Sequence, residues 1–287
     1  MSRQDPDRWL RWGLTAAALV AAVLVLLIAV FVAKESLPAL HSVGIDRFFL
    51  DDGWRPASGT DGRFNLFPMV VGTGLLALGS LSLALPLGLL SAIFCRFYAP
   101  TAVATAYRRL IEVLAGVPSV VYGFWGLVTL VPRIHDVQPP GQSLLAGVLI
   151  LTLMILPTVA LMSEAALRSL PRTYFEGAAA LGLGRWSTVH RIALPAAASG
   201  IASGGLLALA RAVGETMAVL MVCGNVVQVP DSVFEPVRAL TANIALEMSY
   251  ATSHHRSALF VSGLVLMVMV GGMVWVMARL EEKTRLA

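Results

Sequence analysis

The sequence contains little charge for its length. Of its 287 residues, 13% are charged and 57% are hydrophobic, whereas an ordinary soluble domain is about 25% charged. A buried core accounts for many apolar residues, but it does not account for so few charged ones. The composition therefore argues against a soluble globular protein and favours an integral membrane protein.

Lysine and cysteine are scarce. The lysines are Lys34 and Lys283, and neither follows a glycine. A P-loop requires Gly-Lys-Ser/Thr, so the chain cannot bind ATP through that motif, and we expect it to bind no cofactor itself. Cys95 and Cys223 fall at opposite ends of predicted membrane spans. A disulfide requires Cα atoms within about 7 Å, so we expect both thiols to be free.

Patterns typical of a metal site or a hydrolase are also missing. An intramembrane hydrolase would need a nucleophile within reach of a base. Ser199, Ser203 and Ser262 lie in or near the spans, but none has a G-x-S-G or G-x-S-x-G setting. No metal-ligand spacing occurs among the histidines, which are His41, His135, His190, His254 and His255. We therefore predict no catalytic residue and no metal site.

Long apolar runs dominate the sequence. A run of about 18 or more apolar residues can cross a bilayer, and each such run should be helical because lipid offers the backbone no hydrogen-bonding partner. The first run is longer than the core of a signal peptide, which has about 7–15 residues, so we expect an uncleaved anchor. The six predicted spans are 14–33, 66–94, 111–131, 143–163, 197–224 and 258–278.

Basic residues predict the orientation of these spans. With the N-terminus inside, thirteen of the 21 basic residues fall on the inner side and seven on the outer side. Because cytoplasmic loops carry an excess of arginine and lysine, we predict that both termini are cytoplasmic. Residues 1–13 then form a cytoplasmic segment, and residues 14–287 form a single transmembrane domain. This bias explains the basic composition without nucleic-acid binding.

The inner loop at 164–196 has the strongest local pattern outside the spans. Thr173-x-x-Glu176 fits a capping box, which predicts a short helix, and Gly182 is placed to end that helix. A second short helix is predicted over 185–193, followed by a turn at Pro195.

Small residues in the first of these helices favour a contact with a protein over a contact with lipid. Residues 177–180 read Gly-Ala-Ala-Ala, which offers little apolar bulk but allows close helix approach. An amphipathic loop resting on the bilayer is the alternative interpretation. We favour a compact projection that fits into a cleft of a partner.

This loop resembles the signature of permease subunits in binding-protein-dependent ABC importers. The signature is E-A-A, three residues, G, nine residues, then I-x-L-P, and its spacing is intact here. The one departure is Gly177 in place of the first alanine. The resemblance implies a type I importer permease fold in which this coupling loop contacts an ATPase. The residues that carry it are Glu176, Gly177, Ala178, Gly182, Ile192, Leu194 and Pro195.

Three further stretches resemble the phosphate-specific importer, and two of them resemble its PstC-type permeases. These stretches are AGVPSVVYGFWG at 115–126, RAVGETMAVLMVCGN at 211–225 and PVRALTANIALEM at 236–248. The resemblance implies an inner-membrane protein of a bacterial cell. Its implied partners are a PstA-like second permease, two cytoplasmic ATPases that bind ATP and Mg, and a periplasmic or lipid-anchored phosphate-binding protein.

Two alternatives remain open for the function. A permease for another oxyanion, such as sulfate or molybdate, would share most of these features. A secondary transporter would use intramembrane charges without an ATPase. It would explain an arginine within a span, but it would not explain the inner loop.

Arg211 is the one basic residue inside a predicted span. An arginine at that depth costs roughly 2.5–3.5 kcal/mol on insertion scales, so we expect it to face a cavity or a partner. Glu215 follows at i+4, within pairing reach on a continuous helix. The pair would either lock helix packing or form an anion site in the substrate path. In the second case Arg211 binds phosphate, Glu215 accepts a hydrogen bond from the protonated oxygen of phosphate, and Thr216 adds a hydroxyl.

Proline and glycine interrupt the predicted third span. Pro118 and Ser119 would break the helix beside a cavity and supply a gate. The alternative is that these residues are packing features, which are common in membrane helices.

Overall fold

The structure, a computed structural model, describes residues 7–56 and 62–285. Part of the predicted cytoplasmic segment 1–13 therefore lies outside the described residues. Five helices are long and apolar enough to cross a membrane, and a bent helix pair supplies a sixth crossing if it is counted as one span. The predicted helical membrane architecture is confirmed. We call the two ends of the bundle inner and outer after the predicted orientation.

Helices account for most of the described chain, and a short strand pair lies between the second and third helices. In chain order the helices are α1 (Asp7–Val43), α2 (Arg47–Leu50), α3 (Phe67–Ile93), α4 (Thr101–Gly116), α5 (Ser119–Trp125), α6 (Val131–Val137), α7 (Leu144–Arg168), α8 (Arg172–Ala180), α9 (Arg185–Thr188), α10 (Leu194–Val213), α11 (Met217–Val222), α12 (Leu240–Glu247) and α13 (Ser253–Arg285). The strands, β1 (Trp54–Arg55) and β2 (Arg63–Phe64), are antiparallel. Within the described residues, π-helical turns cover Phe94–Tyr98, Gly126–Leu130 and Val189–Ala193.

The first helix is longer than the predicted span 14–33. Its 37 residues reach about 55 Å at 1.5 Å per residue, whereas the hydrocarbon core of a bilayer is about 30 Å thick. The outer part packs on α13, where the rings of Phe31 and Phe260 meet edge to face at 5.6 Å. Ala39 is buried there, but the side chains of the inner part are exposed.

Three hydrophobic clusters follow one another along the bundle. The central cluster joins α3, α7 and α10 through residues such as Leu76, Ile150 and Leu209. The outer cluster packs Phe48 and neighbouring apolar residues on Leu259 of α13. The inner cluster lies where α3 and α7 end and includes Val189 and Ala193. Both cysteines are free, as predicted.

Two of the predicted spans are broken. In 111–131 the helix breaks at Pro118, which is one of the two alternatives that the sequence left open for that span. In 197–224 the expectation of one continuous helix was wrong. The α4–α5 pair bends by 90° between Gly116 and Ser119. Pro118 explains this bend because a proline forces the preceding residue out of the helical region, and Val117 is extended. In the fifth span, α10 ends at Val213 and α11 begins at Met217.

The inner loop contains the predicted short helix, but the predicted capping box is absent. The residue at the N-terminal cap of α8 is Pro171, and no side chain caps it. Since α8 starts at Arg172, Thr173 and Glu176 both lie inside the helix and cannot cap its first turn. Gly182 ends α8 as predicted. Its φ of +67° lets the amides of Gly182 and Leu183 bond back to Ala179 and Ala178, which is a Schellman motif.

The second predicted helix is present, but the turn predicted at Pro195 is not. The chain from Arg185 continues through a π-helical turn directly into α10, so Arg185–Val213 is one candidate span. A proline inside a helix lacks one donor and clashes with the preceding turn. The π-helical turn over Val189–Ala193, immediately before Leu194 and Pro195, changes the local hydrogen bonding and accommodates the proline without a break.

Candidate substrate path and coupling segment

Arg211 lies in the last turn of α10 and its side chain is exposed on an open face of the chain. Its Nη1 lies 3.5 Å from Oγ1 of Thr158 on α7, at the long limit of a hydrogen bond. The guanidinium therefore sits beside the hydroxyl of Thr158, and most of its donors have no partner among the described residues.

Glu215 does not pair with Arg211, so the predicted i+4 contact was wrong. No ion pair in the described part of the chain includes Arg211. The reason is the helix break, because α10 ends at Val213 and the two side chains no longer share a helix face. Instead, Oε1 of Glu215 accepts a hydrogen bond of 3.1 Å from the amide of Ala218 in the first turn of α11.

Thr216 is half-buried in the same break. Its Oγ1 lies 3.4 Å from the carbonyl oxygen of Gly214. The sequence Gly214-Glu215-Thr216 thus forms a short non-helical linker between α10 and α11. The three residues predicted for the substrate path lie at this one point of the chain, although each side chain has a different hydrogen-bonding partner.

The break at Pro118 is close to the break at Glu215. The hydroxyl of Tyr122 donates a 2.8 Å hydrogen bond back to the carbonyl of Leu114, across the bend between α4 and α5. At the next residue, a Cβ on Gly123 would lie 2.8 Å from Cα of Ala218. Glycine therefore allows α5 and α11 to pack backbone against backbone, which brings the two broken spans together.

Large apolar side chains are exposed around this point. On α5, Val121 and Phe124 are exposed, as is Met217 at the start of α11. Pro118 is exposed and Ser119 is half-buried. Side chains of a soluble protein rarely form such a surface, so this face of the chain requires lipid or another protein to cover it.

The coupling segment, residues 171–195, packs on the inner end of α3. The ring of Phe175 on α8 contacts Phe97 with centroids 5.9 Å apart, and the guanidinium of Arg96 lies 5.9 Å from the Phe175 centroid. A groove of about 290 Å³ separates these elements. Its lining residues are Arg96, Phe97, Phe175, Ala179, Leu183, Arg185 and Thr188.

The other side of α8 is exposed. Glu176 and Gly177 are exposed, and a Cβ on Gly177 would meet no atom within 4 Å. Ala178 is buried against the rest of the chain. Of the remaining signature residues, Ile192 and Leu194 are half-buried and Pro195 is exposed. The segment therefore has one face held by the bundle and one face available to a partner.

Sequence reasoning missed a buried carboxylate that holds this inner end together. Glu164, near the end of α7, accepts hydrogen bonds from Nε and Nη2 of Arg108 on α4, the first at 3.0 Å. Its Oε1 is also 3.0 Å from Nη2 of Arg168. The only available signal was an acidic residue at the boundary of an apolar run, and the sequence did not identify its partner 56 residues earlier.

The sequence model of a family described as "Binding-protein-dependent transport system inner membrane component" matches residues 84–286. The "Probable ABC transporter permease protein YqgH" of Bacillus subtilis is 37% identical over 90% of this chain and 85% of that protein. The "Phosphate transport system permease protein PstC" of Xylella fastidiosa is 33% identical over 91% of this chain and 87% of that protein.

Solved structures of ABC transporters have the same fold. A chain of a bacterial alginate ABC transporter aligns with a TM-score of 0.65 and 15% identity, covering 99% of this chain and 98% of that one. A chain of the MetNI methionine ABC transporter, in an inward-facing conformation, aligns with a TM-score of 0.57 and 20% identity. This alignment covers 76% of this chain and 93% of that one. The fold is that of a type I importer permease, and the chain belongs to the family of binding-protein-dependent transport system inner membrane components.

Proposed function

We propose that this chain is a permease subunit of an ATP-driven phosphate importer. The observation that carries the proposal is the position of Arg211. Its guanidinium is exposed at the break of the fifth span, beside the hydroxyl of Thr158 on α7. The similarity to proteins named PstC supports phosphate as the substrate.

The chemistry of the side chain suits a tetrahedral oxyanion. A guanidinium fork binds two oxygens of such an anion at once. Phosphate carries a proton at neutral pH and sulfate does not. Glu215 lies next to the break and accepts a hydrogen bond from only one described donor, so in this account its carboxylate also accepts a hydrogen bond from the protonated oxygen of phosphate. Glu215 and Thr216 would then favour phosphate over sulfate.

A single chain supplies half of the path in this account. The apolar face around Val121 and Phe124 is exposed, and we assign it to contact with a second permease of the PstA type. The pair would alternate between inward- and outward-open forms. The outer surface, including the described parts of 34–65 and 225–257, would receive the phosphate-binding protein.

The coupling segment would connect this pair to two cytoplasmic ATPases that carry ATP and Mg. Its exposed face around Gly177 fits a close contact with a partner, because a small residue lets another backbone approach. The chain then needs no ATP site of its own. We place both termini and this segment on the cytoplasmic side.

Uptake of labelled phosphate into proteoliposomes tests the proposal. The complex would be purified with its ATPases, its second permease and its binding protein. Unlabelled arsenate and sulfate would then be added as competitors of labelled phosphate. We expect ATP-dependent uptake that arsenate inhibits and sulfate does not. Uptake of sulfate or molybdate in preference to phosphate would support the other oxyanion class, and uptake without an ATPase would support a secondary transporter. Co-purification of two copies of this chain as an active homodimer would contradict the heterodimer.

A further inference from the structure

The stretch at 236–248 forms a buried polar cluster at the outer end of the bundle. The carboxylate of Glu247 accepts hydrogen bonds of 2.7 Å from Nε1 of Trp54 and from Nη1 of Arg238. Nε2 of His255 lies 2.8 Å from the same carboxylate. Glu247 is 7% exposed and His255 is 2% exposed. We call these four residues the Glu247 cluster.

The members of the Glu247 cluster come from separate parts of the outer region. Trp54 belongs to β1 of the first outer loop, Arg238 precedes α12, Glu247 ends α12, and His255 begins α13. One carboxylate is therefore the common acceptor for three segments. Removing the donors of a buried carboxylate would destabilise the fold. The contacts with Glu247 therefore hold these segments in a fixed arrangement around it.

The other end of α12 contacts the break in the fifth span. Oγ1 of Thr241, in the first turn of α12, donates a 2.7 Å hydrogen bond to the backbone carbonyl of Glu215. The amide of Leu240 donates to Oγ1 of Thr73 on α3 at 3.0 Å. Since a helix of eight residues is about 12 Å long, α12 connects the Glu247 cluster with the linker that follows Arg211.

The Glu247 cluster also holds the far end of α11. Nε of Arg238 donates a 2.8 Å hydrogen bond to the carbonyl of Asn225, whose φ is +56°. The segment from Glu215 to Asn225 is thus hydrogen-bonded at its start to Thr241 and at its end to Arg238. Both hydrogen bonds depend on the position of Glu247, because Thr241 shares α12 with it and Arg238 donates to it.

We propose that Glu247 is a positioning residue of the substrate path, which sets the 215–225 segment through α12 and Arg238. It does not contact the substrate. The inference depends on the proposed function, because the 215–225 segment matters for transport only if the path passes beside it. Movement of the first outer loop, which carries Trp54, would then reach the path through the same carboxylate.

A double-mutant cycle in the complete complex tests this role. Glu247→Gln removes the charge and Thr241→Val removes the hydroxyl, at opposite ends of α12. Since a lost hydrogen bond is worth about 1 kcal/mol, we expect each change to slow phosphate uptake about fivefold. If α12 acts as one rigid connection, the double variant is no slower than the slower single variant within about twofold. Independent local damage would instead multiply the two effects and overturn the proposal.

Controls separate positioning from general damage. Ser249, exposed just beyond α12, gives the matched control Ser249→Ala, which should transport as the wild type does. If the Glu247→Gln complex fails to assemble, Trp54→Phe takes the place of Glu247→Gln and is combined with Thr241→Val in the cycle. Trp54→Phe removes one hydrogen-bond donor to Glu247. Multiplied effects there would again overturn the proposal.

The same experiment distinguishes failure of this inference from failure of the proposed function. A wild-type complex that takes up no phosphate would contradict the proposed function. The cycle would then be measured on ATP hydrolysis by the assembled complex. If the wild-type complex takes up phosphate and the Glu247→Gln complex takes it up at the same rate, the positioning role alone is contradicted.

Discussion

Arg211 and Glu215 lie on either side of the point where α10 ends, and their side chains have different partners. Arg211 lies beside the hydroxyl of Thr158, whereas Glu215 accepts a hydrogen bond from the amide of Ala218. As a result, no carboxylate among the described residues forms an ion pair with the guanidinium. An anion that enters the break therefore meets a free positive charge, and this is the physical basis of the proposed path.

The two roles of Glu215 can be separated by two substitutions. Glu215→Gln keeps an oxygen that accepts from the Ala218 amide, so α11 should retain its capped end. Glu215→Ala removes that oxygen, and loss of such a cap costs about 1 kcal/mol. We expect both variants to slow uptake, with only the alanine variant lowering the thermal stability of the complex. Equal stability losses in the two variants would argue against the cap.

Tyr122 bridges the bend at Pro118, which is our candidate for a gate together with Ser119. Tyr122→Phe removes the hydrogen bond to the Leu114 carbonyl, worth about 1 kcal/mol, so uptake should fall about fivefold while the complex assembles normally. Tyr98→Phe is the control, because that ring is 44% exposed at the end of the second span. Unchanged uptake in Tyr122→Phe would remove support for a gate at this bend.

Gly177 tests the contact between the coupling segment and an ATPase. Within this chain a larger residue at 177 meets no atom, so a defect in Gly177→Trp would arise from a partner that packs closely there. We expect ATPase binding to be lost in Gly177→Trp and kept in Gly177→Ala, measured by co-purification. Gly182 is less suitable, because its φ of +67° strains any side chain. Normal assembly and coupled uptake in Gly177→Trp would contradict docking.

Glu164 should stabilise the inner end of the bundle. Glu164→Gln leaves Arg108, whose side chain is 27% exposed, without its charged partner. We expect a loss of about 1–3 kcal/mol in the free energy of unfolding, because a partly buried charge then lacks its acceptor. The control is Asp136→Asn, which removes an exposed carboxylate on α6. Equal denaturation midpoints for the two variants would show that the buried pair contributes little.

The sequence predicted the helices and the inner loop because these depend on local patterns. Apolar length defined the spans, and Gly182 ended α8 as its position suggested. Contacts between distant residues were not predictable in the same way. The donors to Glu247 include Trp54, 193 residues away, and no periodic pattern connects them. The break after Val213 was also missed, because the run 197–224 contains no proline and Arg211 and Glu215 fit the i+4 spacing of one helix.

The central claim is that Arg211 binds the transported anion, and its substitution tests that claim most directly. The measurement is ATP-dependent uptake of labelled phosphate by assembled complexes that carry Arg211→Gln, with ATP hydrolysis measured in the same preparations. A hydrogen bond to a charged group is worth about 1.5–3 kcal/mol, so uptake should fall at least about tenfold while hydrolysis persists. Arg211→Lys should restore it only in part, because the charge returns without the fork. Full uptake by Arg211→Gln in properly assembled complexes would contradict the account.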